Sequence, residues 1–297
     1  MSNPVGVRHD DQHRGRIAPF QLEGRVAVIT GAANGLGLAI ARACAQAGMK
    51  LVLADIDSIG AEAASRELAA ITPSVWACTD VRDRSQLDRL ADLAFDTFGA
   101  VDVLFNNAGV VIARPLMETT QEDWQWILQV NLWSVIHGIA AFVPRMLAQN
   151  REGRIVNTAS AAGFISESTL AAYCASKHAV VTLSESLHQE LAGRNARLGV
   201  TILCPAFVPT RITDSERARP AELAGPRELS PAAREAQARL EKAVRSGRLS
   251  ADDVARMTLS GVRERLLYVF PHEKIREAIQ QRLERVYASF DALRQSK

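Results

Sequence analysis

The chain has 297 residues, enough for one large α/β domain or two small ones, with a sizeable apolar core in either case. A hydrophobic fraction of 47%, a charged fraction of 23% and a net charge of +2 exclude a disordered chain, a membrane-embedded one and a strongly basic nucleic-acid binder. Thirty arginines against five lysines make each lysine conspicuous, but the arginines alternate with acids along stretches such as 276–285 and read as solvated helix faces.

Residues 1–20 are polar and irregular and read as a flexible N-terminal arm, with the fold expected from residue 21. They lack the apolar centre of a leader peptide, and no run in the chain approaches the roughly 18 apolar residues that span a bilayer, so a cytoplasmic location with no membrane partner is expected. Cys44, Cys78, Cys174 and Cys204 lie far apart with no CxxC and no metal-ligand spacing, and read as reduced thiols.

From Arg25 onward short apolar runs alternate with longer helical patterns. The order is strand 26–30, helix 36–47, strand 51–54, strand 74–77, helix 85–98, strand 103–106, a long helix 121–149, strand 154–158, helix 172–191 and strand 200–203. Strands that are continuously apolar and alternate with helices imply a parallel sheet covered on both faces. Right-handed crossovers then make it a Rossmann-like doubly wound α/β domain of about seven strands. After Cys204 come prolines at 205, 209, 220, 226 and 231 within a dense charge pattern, so 206–231 reads as a substrate-covering segment at the carboxyl end of a strand. Helices at 231–246 and 251–265, a strand at 267–270 and a final helix at 273–292 follow, and 271–297 forms a C-terminal extension of the single domain.

The turn between the first strand and first helix reads Thr30-Gly31-Ala-Ala-Asn34-Gly35-Leu36-Gly37. Backbone N–H groups at a helix start can hold a pyrophosphate, and glycines let the ligand approach. Its GxxxGxG spacing differs from GxGxxG, but Asp55 ends the second strand 18 residues beyond Gly37, where a carboxylate accepts from adenosine ribose hydroxyls. That carboxylate repels a 2′-phosphate and no basic residue follows in Ile56-Asp57-Ser58, which favours NAD over NADP.

Tyr173 and Lys177 stand four residues apart, one helical turn, so their heads can meet at one substrate. Three tyrosines and five lysines in this length give a chance Tyr-x-x-x-Lys only about 0.05 times, although alone such a pair also fits a helix surface. An alcohol releases a hydride only as its proton leaves, and an ordinary phenol with pKa about 10 is some three units too weak an acid for that at neutral pH. Closing the gap takes about 4 kcal/mol, roughly what one ammonium at about 4 Å supplies at an effective dielectric near 20. Ser160, read as the end of the fifth strand, and Asn131 in the long helix complete the candidate group.

With Asp80-Val81, Asn106-Asn107-Ala108-Gly109 and Pro205-Ala206-Phe207-Val208-Pro209-Thr210, these motifs resemble the short-chain dehydrogenase/reductase family over about residues 22–210. The resemblance implies a nicotinamide-dependent oxidoreductase interconverting a secondary alcohol and a ketone. In it Tyr173 is the acid/base, Lys177 lowers its pKa and holds the ribose, Ser160 orients the substrate oxygen, and Asn131 binds a water that carries the proton onward. It further implies that Asp80 and Val81 contact adenine, that Asn107, with Ala108 and Gly109, lines the cofactor at the sheet centre, and that Val208 and Thr210 hold the carboxamide behind Pro205. Ala206 departs from the usual glycine. Family members assemble as homodimers or homotetramers through the helices bearing Asn131 and Tyr173. An epimerase or dehydratase on the same fold, or a non-catalytic dinucleotide-binding regulator, are the rival readings. Phe164, Ile165, Leu170 and Phe207 beside few charges point to a hydrophobic or aromatic small-molecule substrate.

Overall fold

The computed structural model describes residues 18–225 and 228–295, so most of the expected N-terminal arm lies outside it. Its last residues belong to the body of the protein. Phe20 is buried, its N–H donates to the Arg263 carbonyl at 2.8 Å, and Arg25 and Arg265 lie over its ring.

Seven parallel strands make one sheet in the order β3-β2-β1-β4-β5-β6-β7, with β1 (Val26–Thr30), β2 (Lys50–Asp55), β3 (Ser74–Cys78), β4 (Val103–Asn106), β5 (Gly153–Thr158), β6 (Leu198–Leu203) and β7 (Tyr268–Val269). Successive residues of the buried strands feed opposite cores, as their period of two requires. Val28, Val52 and Leu104 face a layer made by α3 (Arg84–Phe98), α4 (Gln121–Leu128), α5 (Ser134–Ala148) and α6 (Ala171–Gly193). Ile29, Leu51, Leu53 and Phe105 face α1 (Gly35–Gln46), α2 (Ser58–Ala69) and α8 (Ala251–Arg263). The strand order reverses between β1 and β4, and it is there that an open α/β sheet leaves a crevice at its carboxyl edge.

Two elements depart from expectation: α2 lies between the second and third strands, where no helix is expected, and the long helix is interrupted. The long helix is not continuous: the five residues Gln129–Trp133 form a π-helical turn between α4 and α5, with Asn131 at its centre. Within α4 to α5, Gln121–Ala148 is long and apolar enough to cross a membrane by length and composition, but 56% of its 18-residue apolar window is buried inside this molecule. The substrate-covering segment follows β6. It winds into two short 3-10 helices, Arg211–Ala218 and Ala221–Leu223, before α7 (Pro231–Arg245). The final helix, α9 (Ile275–Gln295), leaves the body with Leu283, Val286, Tyr287 and Phe290 exposed.

Candidate functional site

The glycine turn is built by close approach of backbone. A Cβ on Gly37 would stand 1.9 Å from the Gly31 carbonyl oxygen, and one on Gly31 would meet Ala108 Cα at 2.9 Å. Gly31 and Gly35 also have positive φ, of 68° and 55°. Helix α1 starts here with no side-chain cap on Asn34 and no acid in its first turn, so its leading N–H groups face the crevice without an internal anion. Thr30 and Asn107 tie the turn to β4: the Thr30 hydroxyl accepts from the N–H groups of Asn107 and Ala108 at 3.0 and 3.1 Å, and Asn107 Nδ2 donates to the Thr30 carbonyl at 3.0 Å. Thr158 Oγ donates to Asn107 Oδ1 at 3.3 Å, which extends the tie across to β5.

Asp55 ends β2 buried, its carboxylate accepting from the N–H groups of Ala33 and Asp57 at 2.9 and 3.0 Å. Burial raises its pKa, and the two N–H donors and the charge of Arg217 oppose that rise. A cradle with no room for a Cβ, uncapped helix N–H groups and a carboxylate held at the ribose position together fit a dinucleotide. Of the residues expected at the adenine, Val81 is buried, whereas Asp80 spends its carboxylate on Arg82 at 2.7–3.1 Å.

The expected catalytic residues converge beside this turn. Ser160 lies two residues past the end of β5, not on it, in extended backbone capping a short 3-10 turn. Its hydroxyl accepts from the Ala162 N–H at 3.1 Å and donates to the Pro205 carbonyl at 3.2 Å. Tyr173, in the first turn of α6, is partly exposed toward the crevice; burial of its ring pushes the phenol up to about 12, and a hydrogen bond with Ser160 opposes that rise. Lys177 is 3% exposed, with Nζ 5.7 Å from the centre of the Tyr173 ring and donating to the Thr158 carbonyl at 2.8 Å. Burial brings Lys177 down to about 8. The expected lowering of the phenol by the ammonium does not appear among the protein groups alone, because the ammonium is turned to a backbone carbonyl and both groups are desolvated.

Asn131 is fully buried. Its Oδ1 accepts from Val110 N–H at 2.8 Å, and its Nδ2 donates to the Val110 carbonyl at 2.9 Å and to Ser176 Oγ at 3.1 Å. Both amide hydrogens are committed, which leaves one Oδ1 lone pair for a water. Ser176 in turn donates to the Tyr173 carbonyl at 2.7 Å, so Asn131 links the π turn, the Val110 loop and the catalytic helix. Sequence reasoning missed Ser176 and Thr158, although Ser176 stands three residues after Tyr173 on the same helical face.

In the Pro205 motif, Val208 is buried and Thr210 caps the 3-10 turn beside Gly35, whose Cβ would meet Thr210 Cβ at 3.3 Å. Ala206 has no positive φ, so the alanine costs no backbone strain, and its N–H donates to His272 Nδ1 at 3.2 Å. Above Tyr173 an apolar cluster gathers Val111, Ala113, Leu170, Cys174, Leu240 and Val244 from three separate stretches of chain. The covering segment is fastened by charge: Asp123 of α4, fully buried, meets Arg114 at 2.9 Å and Arg219 at 2.7 Å, and Arg219 lies over the Trp126 ring.

Comparison with known proteins agrees with this architecture. The chain is 43% identical to a short-chain dehydrogenase/reductase from Burkholderia phymatum solved in complex with NAD, covering 91% of this chain and 96% of that one with a TM-score of 0.89. It is 41% identical over 194 residues to the 1-deoxy-11-beta-hydroxypentalenate dehydrogenase of Streptomyces exfoliatus, 64% of this chain and 70% of that protein. It is 34% identical over 267 residues to the C alpha-dehydrogenase of a Sphingobium species, 89% and 86% of the two chains. The short chain dehydrogenase family profile matches residues 25–221. The chain belongs to the short-chain dehydrogenase/reductase family of oxidoreductases.

Proposed function

We propose that this protein interconverts a secondary alcohol and a ketone by hydride transfer, with NAD as the better cofactor and Tyr173 as the acid/base. The observation that carries the reading is the meeting of Tyr173, Ser160 and Lys177 beside the glycine turn under an apolar cluster. The bound dinucleotide supplies the hydride acceptor or donor.

The protein's own groups do the rest. Gly31, Asn34, Gly35, Leu36 and Gly37 hold the pyrophosphate, and Asp55 accepts from the ribose hydroxyls. Ser160 and Tyr173 hydrogen-bond the substrate oxygen from two sides. Burial keeps Tyr173 as the neutral phenol, the form that donates a proton to a ketone oxygen. For the reverse reaction the phenolate must be stabilised, and the Lys177 ammonium is the nearby cation. Asn131 holds this helix in place and offers its free lone pair to a water on the proton path. The cluster of Val111, Leu170, Leu240 and Val244 supports an apolar, bulky alcohol.

A panel of aryl, alicyclic and short aliphatic secondary alcohols, read by NADH and NADPH absorbance, tests the proposal. The bulky members are expected to have the highest kcat/KM with NAD. A preference for the short aliphatic alcohols would sink the substrate class, and no absorbance change with any alcohol or ketone would sink the reaction.

A further inference from the structure

The 3-10 turn Arg211–Ala218 carries a cation that the glycine turn and the catalytic group do not use. Arg217 donates through Nη1 to the carbonyls of Arg211 and Asp214 at 3.1 and 2.7 Å, which fixes the stem of its guanidinium. Nη2 points the other way and reaches Asn34 Oδ1 at 3.5 Å, a long contact. The Asp214 carboxylate is 3.8 Å away and more than half exposed, and it is held more closely by Arg211 at 2.8 Å. Asn34 immediately precedes Gly35 in the glycine turn, and the charge of Arg217 also acts on Asp55 at the end of β2.

Asn34 follows Ala33, whose N–H the Asp55 carboxylate accepts at 2.9 Å, and Asp55 stands at the position of the adenosine ribose. A guanidinium that meets one and acts on the other therefore stands at the ribose edge, where Asp55 alone would repel a 2′-phosphate. No residue near Asp55 in sequence brings a positive charge there; the covering segment does. We propose that Arg217 reads the adenosine ribose end of the cofactor and pairs with a 2′-phosphate, so that the protein accepts NADP as well as NAD. With Nη1 spent on the two carbonyls, Nη2 is the charged group offered to that phosphate, and the side chain is one-third exposed. NAD remains favoured by Asp55, and Arg217 narrows the difference.

This inference rests on the oxidoreductase reading above, and binding without turnover separates the two. The full chain, Arg217→Ala and Arg217→Lys are titrated with NADH and NADPH by nicotinamide fluorescence, with no alcohol present, after their melting temperatures show that each is folded. Arg217→Ala is expected to weaken NADPH about tenfold more than NADH, and Arg217→Lys to keep most of the NADPH affinity. Equal weakening of both dinucleotides would place Arg217 on a part they share and overturn the assignment, as would no weakening of either. A lysine variant as weak as the alanine variant would also overturn it, since the arginine would then act by bracing its own turn. A wild-type chain that binds NADH but not NADPH removes this inference alone, whereas one that binds neither removes the oxidoreductase reading with it.

Discussion

The glycine turn and the covering segment face each other across one crevice, with Gly35 against Thr210 and Asn34 against Arg217, yet they are held by different forces. The turn is a backbone object: Gly37 lies so close to the Gly31 carbonyl that no side chain fits, and Asp55 answers two peptide N–H groups. The covering segment is fastened by long side chains, with Arg219 and Arg114 converging on a fully buried Asp123. Backbone packing of the first kind is local and leaves a mark in the spacing of glycines. A charge cluster of the second kind joins positions 114, 123, 216 and 219 and leaves none.

The strongest test of the rigid side of this contrast is at Tyr173. Tyr173→Phe is expected to lower turnover by about 10²–10⁴ with NADH affinity within about twofold of wild type, because in the proposed reaction the phenol exchanges the proton and the turn holds the cofactor without it. Cofactor affinity that fell along with turnover would mean that the two functions share a support.

On the fastened side, Asp123→Ala leaves two buried guanidiniums with only Glu216, an exposed carboxylate, beside them. A loss of about 3–5 kcal/mol in denaturant unfolding is expected, since an uncompensated buried charge costs far more than the pair itself contributes. A loss under about 1 kcal/mol would show that Glu216 and solvent can take over and that the segment is not bolted through α4.

Lys177 offers a test by pH. Its pKa is about 8 in the folded chain against 10.5 when unconstrained, so between these values the unfolded state binds more protons. The part of the stability due to Lys177 therefore rises with pH through that window, by at most about 3 kcal/mol. The stability of wild type minus that of Lys177→Met, compared at pH 7.5 and pH 10, should increase. A flat difference would mean that the ammonium is not desolvated as the Thr158 contact and its 3% exposure imply.

The smallest effect is expected at an exposed pair. Arg42 of α1 meets Glu67 of α2 at 2.7 and 2.9 Å, but both side chains are more than 40% exposed. Arg42→Ala should cost under about 1 kcal/mol, less at high salt. A cost equal to that at Asp123 would undo the argument that burial, rather than bond length, sets what these pairs contribute.

Much of the scaffold was legible because it repeats local rules. The strands 26–30, 103–106 and 154–158 each hold an unbroken apolar run, at 26–29, 103–105 and 155–156, and alternate with helices, which points to a covered parallel sheet. Tyr173 and Lys177 were legible through their four-residue spacing. The π turn was not: its extra residue is held by Asn131 bonding to Val110 and Ser176, distant in sequence, so helical periodicity ran straight through it. Nor was the direction of the Lys177 ammonium, which spacing aimed at the phenol and the structure gives to Thr158.

What the sequence determined by itself was most of the elements and the motifs of the family, because periodicity, glycine spacing and a one-turn Tyr-Lys interval are short-range properties of the chain. Only the tertiary structure decided the electrostatics of the crevice. Desolvation and long arginine side chains act between parts far apart in sequence. They hold Tyr173 as the neutral phenol, bind the covering segment to Asp123, and bring Arg217 to Asn34 in the glycine turn, from where its charge acts on Asp55.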